Sequence, residues 1–188
     1  MKRTTAIGEC LWCKINGVLD TYEGNILGYS VRLKLSEGNT KALTEELLSV
    51  LEEAKVDEKF KGKKWSTEPF LGISEDAEGN KLFKFKSKHE FEQKDGTIIQ
   101  NVIPLYDAKG KRMADNIIIG NGSKIKISYT AVPFNMNART NGLTLRLNAI
   151  QVIDLVEYNS GSSSDFGFTA EEGYESPAES IDDCDVPF

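Results

Sequence analysis

Residues 123–132 read SKIKISYTAV and residues 142–158 read GLTLRLNAIQVIDLVEY. Both alternate with a period of two, the period of a strand whose successive side chains point to opposite faces of a sheet. In the first, Ile125, Ile127, Tyr129 and Ala131 share one face, and Lys124, Lys126, Ser128 and Thr130 share the other. In the second, Leu143, Leu145 and Leu147 open the apolar face, and at Ala149–Ile150 the parity switches to Ile150, Val152 and Val156. One extra residue in a strand, a β-bulge, or a strand crossing between two environments produces such a switch.

Working outward, residues 28–36 (GYSVRLKLS) place Tyr29, Val31, Leu33 and Leu35 on one face and Ser30, Arg32 and Lys34 on the other. Residues 82–91 (LFKFKSKHEF) set Phe83, Phe85 and Phe91 against Lys84, Lys86 and Lys88. Lys94-Asp95-Gly96 is a hairpin turn signal, and residues 97–106 (TIIQNVIPLY) read as the returning strand. Between these strands, Leu43, Leu47, Val50, Leu51 and Ala54 mark one face of an amphipathic helix, with Asn39 and Thr40 as candidate N-caps. Several short strands and one helix predict a mainly β fold, a small, partly open barrel of the OB type.

The charge is unevenly spread. The 188 residues carry 23 Lys and Arg and 29 Asp and Glu, a net −6. Eight of the acids (Asp165, Glu171, Glu172, Glu175, Glu179, Asp182, Asp183, Asp185) fall in residues 159–188, which hold no Lys or Arg. That leaves 21 acids against 23 bases in residues 1–158, a body of about +2 whose anion-binding capacity the overall charge conceals. Residues 159–168 are rich in Ser and Gly, and the acidic stretch that follows has too little apolar surface to fold, so 159–188 reads as a disordered tail on a folded domain of residues 1–158. No apolar run is long enough for a membrane helix. Met1–Gly8 lacks a secretory signal, and three cysteines form no disulfide framework, which together predict a cytoplasmic protein.

Three strands carry cations opposite their apolar residues: Arg32 and Lys34, then Lys84, Lys86 and Lys88, then Lys124 and Lys126. Together they predict a groove that tracks phosphates. Residues 132–142 (VPFNMNARTNG) read as a long Asn-rich loop presenting Phe134, Met136 and Arg139. Phe134 there either stacks on a base or closes the barrel as core. Asp182, Asp183, Asp185, Val186, Pro187 and Phe188 combine acids with a terminal aromatic, which suits a basic, apolar-floored pocket on a partner. Cys10 and Cys13 supply two metal ligands where a structural zinc site needs four, and His89 is the one histidine, so no metal or other cofactor is expected. One histidine and no phosphate-cradling glycine loop leave no catalytic constellation.

In order along the chain, WCKINGVLDTYEGNILGYSVRLKL, FKFKSKHEF, LYDAKGKRM, IIIGNGSKIKISYTAVPF and LTLRLNAIQVIDLVEY resemble the single-stranded DNA-binding proteins of T-seven-type tailed bacteriophages over residues 8–158. Residues 55–80 are the loosest part. The resemblance implies an OB-fold homodimer in the cytoplasm of an infected bacterium, acting in replication, recombination and repair. It also implies strand annealing and recruitment of a DNA polymerase and a primase-helicase through the tail. By position it assigns DNA contacts to Lys84 and Lys86, stacking to Phe134 and partner binding to Phe188. Lys88 and Met136 stand where the family has aromatics, which shifts the balance from stacking towards electrostatics. The shorter tail ends more like those of bacterial single-stranded DNA-binding proteins, so its partner is a phage or a host protein. An RNA-binding OB protein, a zinc nuclease built on Cys10 and Cys13, and an adaptor working only through its tail are the competing readings.

Overall fold

The computed structural model describes residues 1–156; Glu157 and Tyr158, the tail, and the partner-binding set Asp182, Asp183, Asp185, Val186, Pro187 and Phe188 lie outside the described residues. In chain order the strands are β1 (Arg3–Thr4), β2 (Gly8–Lys14), β3 (Asp20–Tyr22) and β4 (Asn25–Lys34), followed by the helix α1 (Glu37–Val56). Then come β5 (Ile73–Glu75), β6 (Lys81–Ser87), β7 (Glu90–Glu92), β8 (Ile98–Gln100), β9 (Leu105–Tyr106), β10 (Lys124–Asn135) and β11 (Asn141–Asp154).

Five strands close a ring in the order β10-β2-β4-β6-β11, with β11 returning to β10. Two seams are short: β2 meets β10 through Glu9 and Gly8 opposite Lys124 and Ile125, and β6 meets β11 in parallel through Phe85–Leu145 and Lys86–Arg146. The expected barrel is therefore closed, and the openness of the sequence reading corresponds to these two-pair seams. Its interior is the apolar set of the alternating patterns: Val31, Leu33, Phe83, Phe85, Ile125, Ile127, Leu143 and Leu145 are all buried. Tyr129 meets Phe85 edge-on, ring centroids 5.3 Å apart, a favoured aromatic geometry.

Of the two readings of the parity switch near Ala149, the bulge is present, one residue earlier. Ser128 pairs with Ala149 and Tyr129 with Leu147, so Asn148 is the extra residue, and its side-chain amide donates to Thr130 Oγ1 at 2.9 Å. Ile150 and Val152 are buried as the switched parity requires, whereas Val156 is 45% exposed. The helix buries Leu43, Leu47, Leu51 and Ala54. It starts at Glu37, with Ser36 in the N-cap position, and not at Asn39 or Thr40. Leu35 must still be buried at the end of β4, so the chain turns into the helix at once, and Glu37 in the first turn suits the helix dipole.

Two strand readings change. Phe91 does not share the inward face of Phe83 and Phe85: β6 ends at Ser87, and Phe91 lies 47% exposed in a separate two-stranded sheet of β7 and β8. The returning strand breaks into β8 and β9 because Asn16 captures the chain between them. Its side chain donates to Ile103 O at 2.9 Å and accepts from Ile103 N at 2.8 Å. The long loop at 132–142 is instead mostly strand. Pairing runs on through Phe134–Gly142 and Asn135–Asn141, leaving a five-residue turn, 136–140, in which Asn137 Oδ1 accepts from Arg139 N and Thr140 N. An Asn-rich stretch reads as loop by composition, but here the Asn side chains cap the turn.

Candidate nucleic-acid interface

The register of the ring decides which outward side chains meet. Arg32 on β4 pairs with Lys84 on β6, and Ser30 with Lys86. Ser30 also pairs with Lys14 on β2, and Lys86 with Arg146 on β11. Lys14, Ser30, Lys86 and Arg146 thus form one row across four strands, about 14 Å at the usual interstrand spacing, with Arg32 and Lys84 beside it. Parity aims Arg32, Lys84, Lys86 and Arg146 away from the core, because Val31, Leu33, Phe85 and Leu145 beside them are buried; Ser30 on the same face is itself buried.

An anion already sits among these cations. Asp20, at the start of β3, accepts from Lys14 Nζ at 2.8 Å, Ser30 Oγ at 2.9 Å and Lys84 Nζ at 3.0 Å. Burial alone would raise its pKa, but the bonds from Lys14, Lys84 and Ser30 and the charge of Lys84 outweigh it and hold the carboxyl at about 2. Asp20, Ser30, Lys84, Lys86, Phe70 and Thr144 line a cavity of about 290 Å³ on this face. Phe70 also borders a broader depression with Phe134, Arg139 and Asn141, so one side chain joins the basic face to the β10–β11 turn.

Gly142 explains how Phe70 gets there. It has φ +143°, and a side chain on it would collide with the Phe70 backbone. Without one, the Phe70 and Asn141–Leu143 backbones bond directly: Phe70 N to Asn141 O at 2.9 Å, and Leu143 N to Phe70 O at 2.7 Å. This is a close approach that only glycine permits. The Phe70 and Phe134 rings then stand 6.4 Å apart, tilted by 55°; Phe70 is half exposed and Phe134 half-buried.

Of the residues expected from sequence, Arg32, Lys84 and Lys86 meet on one face, and Lys88 lies just past β6 in a shallow depression with Lys86 and Arg146. Phe134 and Arg139 lie at the β10–β11 turn end. Lys34 shares β4 with Arg32 but faces Asp76 and Glu78 at 4.0 and 3.9 Å. Lys124 and Lys126 are set apart from the rest: Lys124 faces Glu9 at 3.4 Å, and Lys126 lies beside Gln151 in a depression with Tyr106. Strand alternation finds outward cations but not which strands are neighbours.

Five residues of this face are additions. Arg146 satisfies the same criterion as Lys84, since it alternates against Leu145 and Leu147, and was legible in LTLRL. Lys14, Asp20 and Phe70 arrive through irregular segments that carry no periodic signal. Trp12 sits in a bulge of β2: Leu11 pairs with Arg32 and Lys14 with Ser30, one residue too many. Its φ is +47°, and its ring lies 4.8 Å from the Arg32 guanidinium. Neighbouring Cys10 is buried and Cys13 half-buried; a hydrogen bond to Cys10, then burial, pushes the Cys13 thiol well up. Among the described residues, no group of three or more His, Cys, Asp or Glu side chains converges as a metal site.

With this geometry in place, residues 29–155 match the family described as the single-stranded DNA-binding protein of bacteriophage T7. The chain is 29% identical over 175 residues to the single-stranded DNA-binding protein of Enterobacteria phage T3, covering 84% of this chain and 75% of that one. It is 30% identical over 102 residues to that of Escherichia phage T7, covering 53% and 44%. The fold matches the crystal structure of gp2.5, a single-stranded DNA-binding protein encoded by bacteriophage T7, with a TM-score of 0.67 at 24% identity over 94% of this chain and 99% of that one. It also matches the single-stranded DNA-binding protein of bacteriophage Enc34 in complex with ssDNA, with a TM-score of 0.58 at 11% identity over 84% and 89%. The alternating strands, the five-strand ring and a match that spans both of its closing strands lead to one assignment: the chain belongs to the family of bacteriophage T7-type single-stranded DNA-binding proteins.

Proposed function

We propose that residues 1–158 bind single-stranded DNA without sequence preference and without catalysing a reaction, the strand running over the outer face of β2, β4, β6 and β11. The observation that carries this reading is the row of Lys14, Lys86 and Arg146 crossing four strands, bordered by Phe70 and Phe134 at one end. Cations at strand spacing neutralise successive phosphates, and an aromatic accepts any base because every base has a π-face. Arg32, Lys84, Lys88 and Arg139 extend the track; Lys34, Lys124 and Lys126 add positive potential from off the face.

The family assignment supports a phage protein of DNA replication, recombination and repair that anneals strands, acts as a homodimer and works in the host cytoplasm. Residues 159–188 serve as an acidic tail that recruits a polymerase or primase-helicase, of phage or host, through Asp182, Asp183, Asp185 and Val186-Pro187-Phe188. Titrating single-stranded DNA and RNA of one sequence across a salt series tests the core of this. If about four contacts release counterions, log K against log salt slopes near −3. A flat slope, strong preference for one base sequence, or tighter binding of RNA contradicts it.

A further inference from the structure

The core makes no use of the Trp12 ring: it is 47% exposed on the outside of β2. Its backbone adopts φ +47°, a region that bulky side chains avoid and that glycine or asparagine fills more readily. Across to β4 the ring meets the Arg32 guanidinium. Yet the bulge is held firmly. The Trp12 amide, which a bulge would leave unpaired, donates to Asn121 Oδ1 at 2.7 Å. The adjoining Cys10 is tied to the same turn on both sides, Cys10 N to Ser123 O at 2.8 Å and Gly122 N to Cys10 O at 2.9 Å. Backbone strain maintained by its surroundings points to a use for the side chain it displays.

The display is directional. Arg32 lies 4.8 Å from the ring centroid, within cation–π range, and so fixes the ring beside Lys84, the register partner of Arg32. We propose that Trp12, braced by Arg32, is a stacking platform for one unpaired base at the β2 edge of the groove, with Arg32 neutralising the phosphate of that nucleotide. The inference rests on the reading of this face as a single-stranded DNA interface. It gives the track an aromatic station on the side of the row away from Arg146. Phe70 and Phe134 serve the other end.

The test uses the full chain with Trp65→Phe, which keeps an aromatic ring against Phe60, where Trp65 packs edge-on at 5.5 Å. Trp12 is then the one indole, and its emission is followed while oligothymidylate is added. Emission should fall as the ring stacks. Trp12→Asn, which suits the positive φ, should bind oligothymidylate about 5- to 150-fold more weakly. It should bind an abasic strand of equal length as the parent does, and Trp12→Tyr should recover most of the loss. Unchanged emission on binding overturns the platform whatever the variants do, and so does a Trp12→Asn loss equal on both strands. A parent protein that binds neither strand overturns the groove reading and the platform together, a result distinct from the other two.

Discussion

Replacing Asp20 with asparagine should make the protein bind single-stranded DNA more tightly while folding less stably. The carboxylate is 13% exposed and holds the Lys14 and Lys84 ammonium groups at 2.8 and 3.0 Å. Its depression from the ordinary 3.8 to about 2 corresponds to about 2 kcal/mol. Asparagine still accepts one hydrogen bond, so the loss at neutral pH should be about 1–2 kcal/mol. The folded-state pKa lies below the unfolded one, so this stabilisation is present above pH 3.8 and is lost as pH falls through about 2. The stability gap between parent and variant should therefore close across that window. On DNA the signs reverse: two freed cations at about 0.7 each steepen the salt slope by up to about 1.4. A fourfold rise in salt then costs the variant about sevenfold more affinity than it costs the parent. Denaturant melts at several pH values and fluorescence titrations in a salt series read both quantities. A variant that binds more weakly at low salt, with an unchanged or shallower slope, refutes the reasoning; Asp20 would then be orienting the lysines and not competing with phosphate.

Phe134→Ala should weaken binding by about 1–3 kcal/mol and leave the melting temperature within a few degrees; early melting with normal binding would make the ring part of the core. Arg146→Ala should make the salt slope shallower by about 0.7, whereas Lys126→Ala, off the face, should change affinity only weakly; equal effects of the two variants in parallel titrations would discount the row of cations. Ending the chain at Tyr158 should tighten DNA binding at low salt, an effect that fades as screening rises. Deleting Phe188 alone should abolish polymerase or helicase capture in a pull-down with little change in DNA affinity; full-strength capture by that deletion removes the terminal residue from the docking motif.

Where a residue's role follows from local period, the sequence was readable. Leu33, Phe83, Phe85, Ile127 and Leu145 alternate and are buried, and the parity switch located the Asn148 bulge to within a residue. The outward cations of β4 and β6 followed from the same alternation. Assembly was not readable, because it depends on which strands become neighbours. Lys124 and Lys126 alternate as cleanly as Lys84 and Lys86, yet the ring order separates β10 from β6 by β2 and β4 on one side and β11 on the other. Asp20 and Phe70 reach the face through long-range bonds to Lys84 and Asn141, which no window of sequence contains. Met136 was expected to be exposed and is 78% exposed; the strand pairing beneath it was hidden by asparagines that favour turns.

The short β6–β11 seam also sets an order of events in time. Lys86 and Arg146, neighbours in the row, are joined only when β11 arrives to pair with β10, β6 and β9. At about 5–20 residues per second, a ribosome delivers Arg146 about 3 to 12 s after Lys86. Throughout that interval Phe83 and Phe85 have no β11 to cover them, and Arg146 is still inside the ribosome or not yet made. A nascent chain therefore cannot hold nucleic acid as the finished protein does.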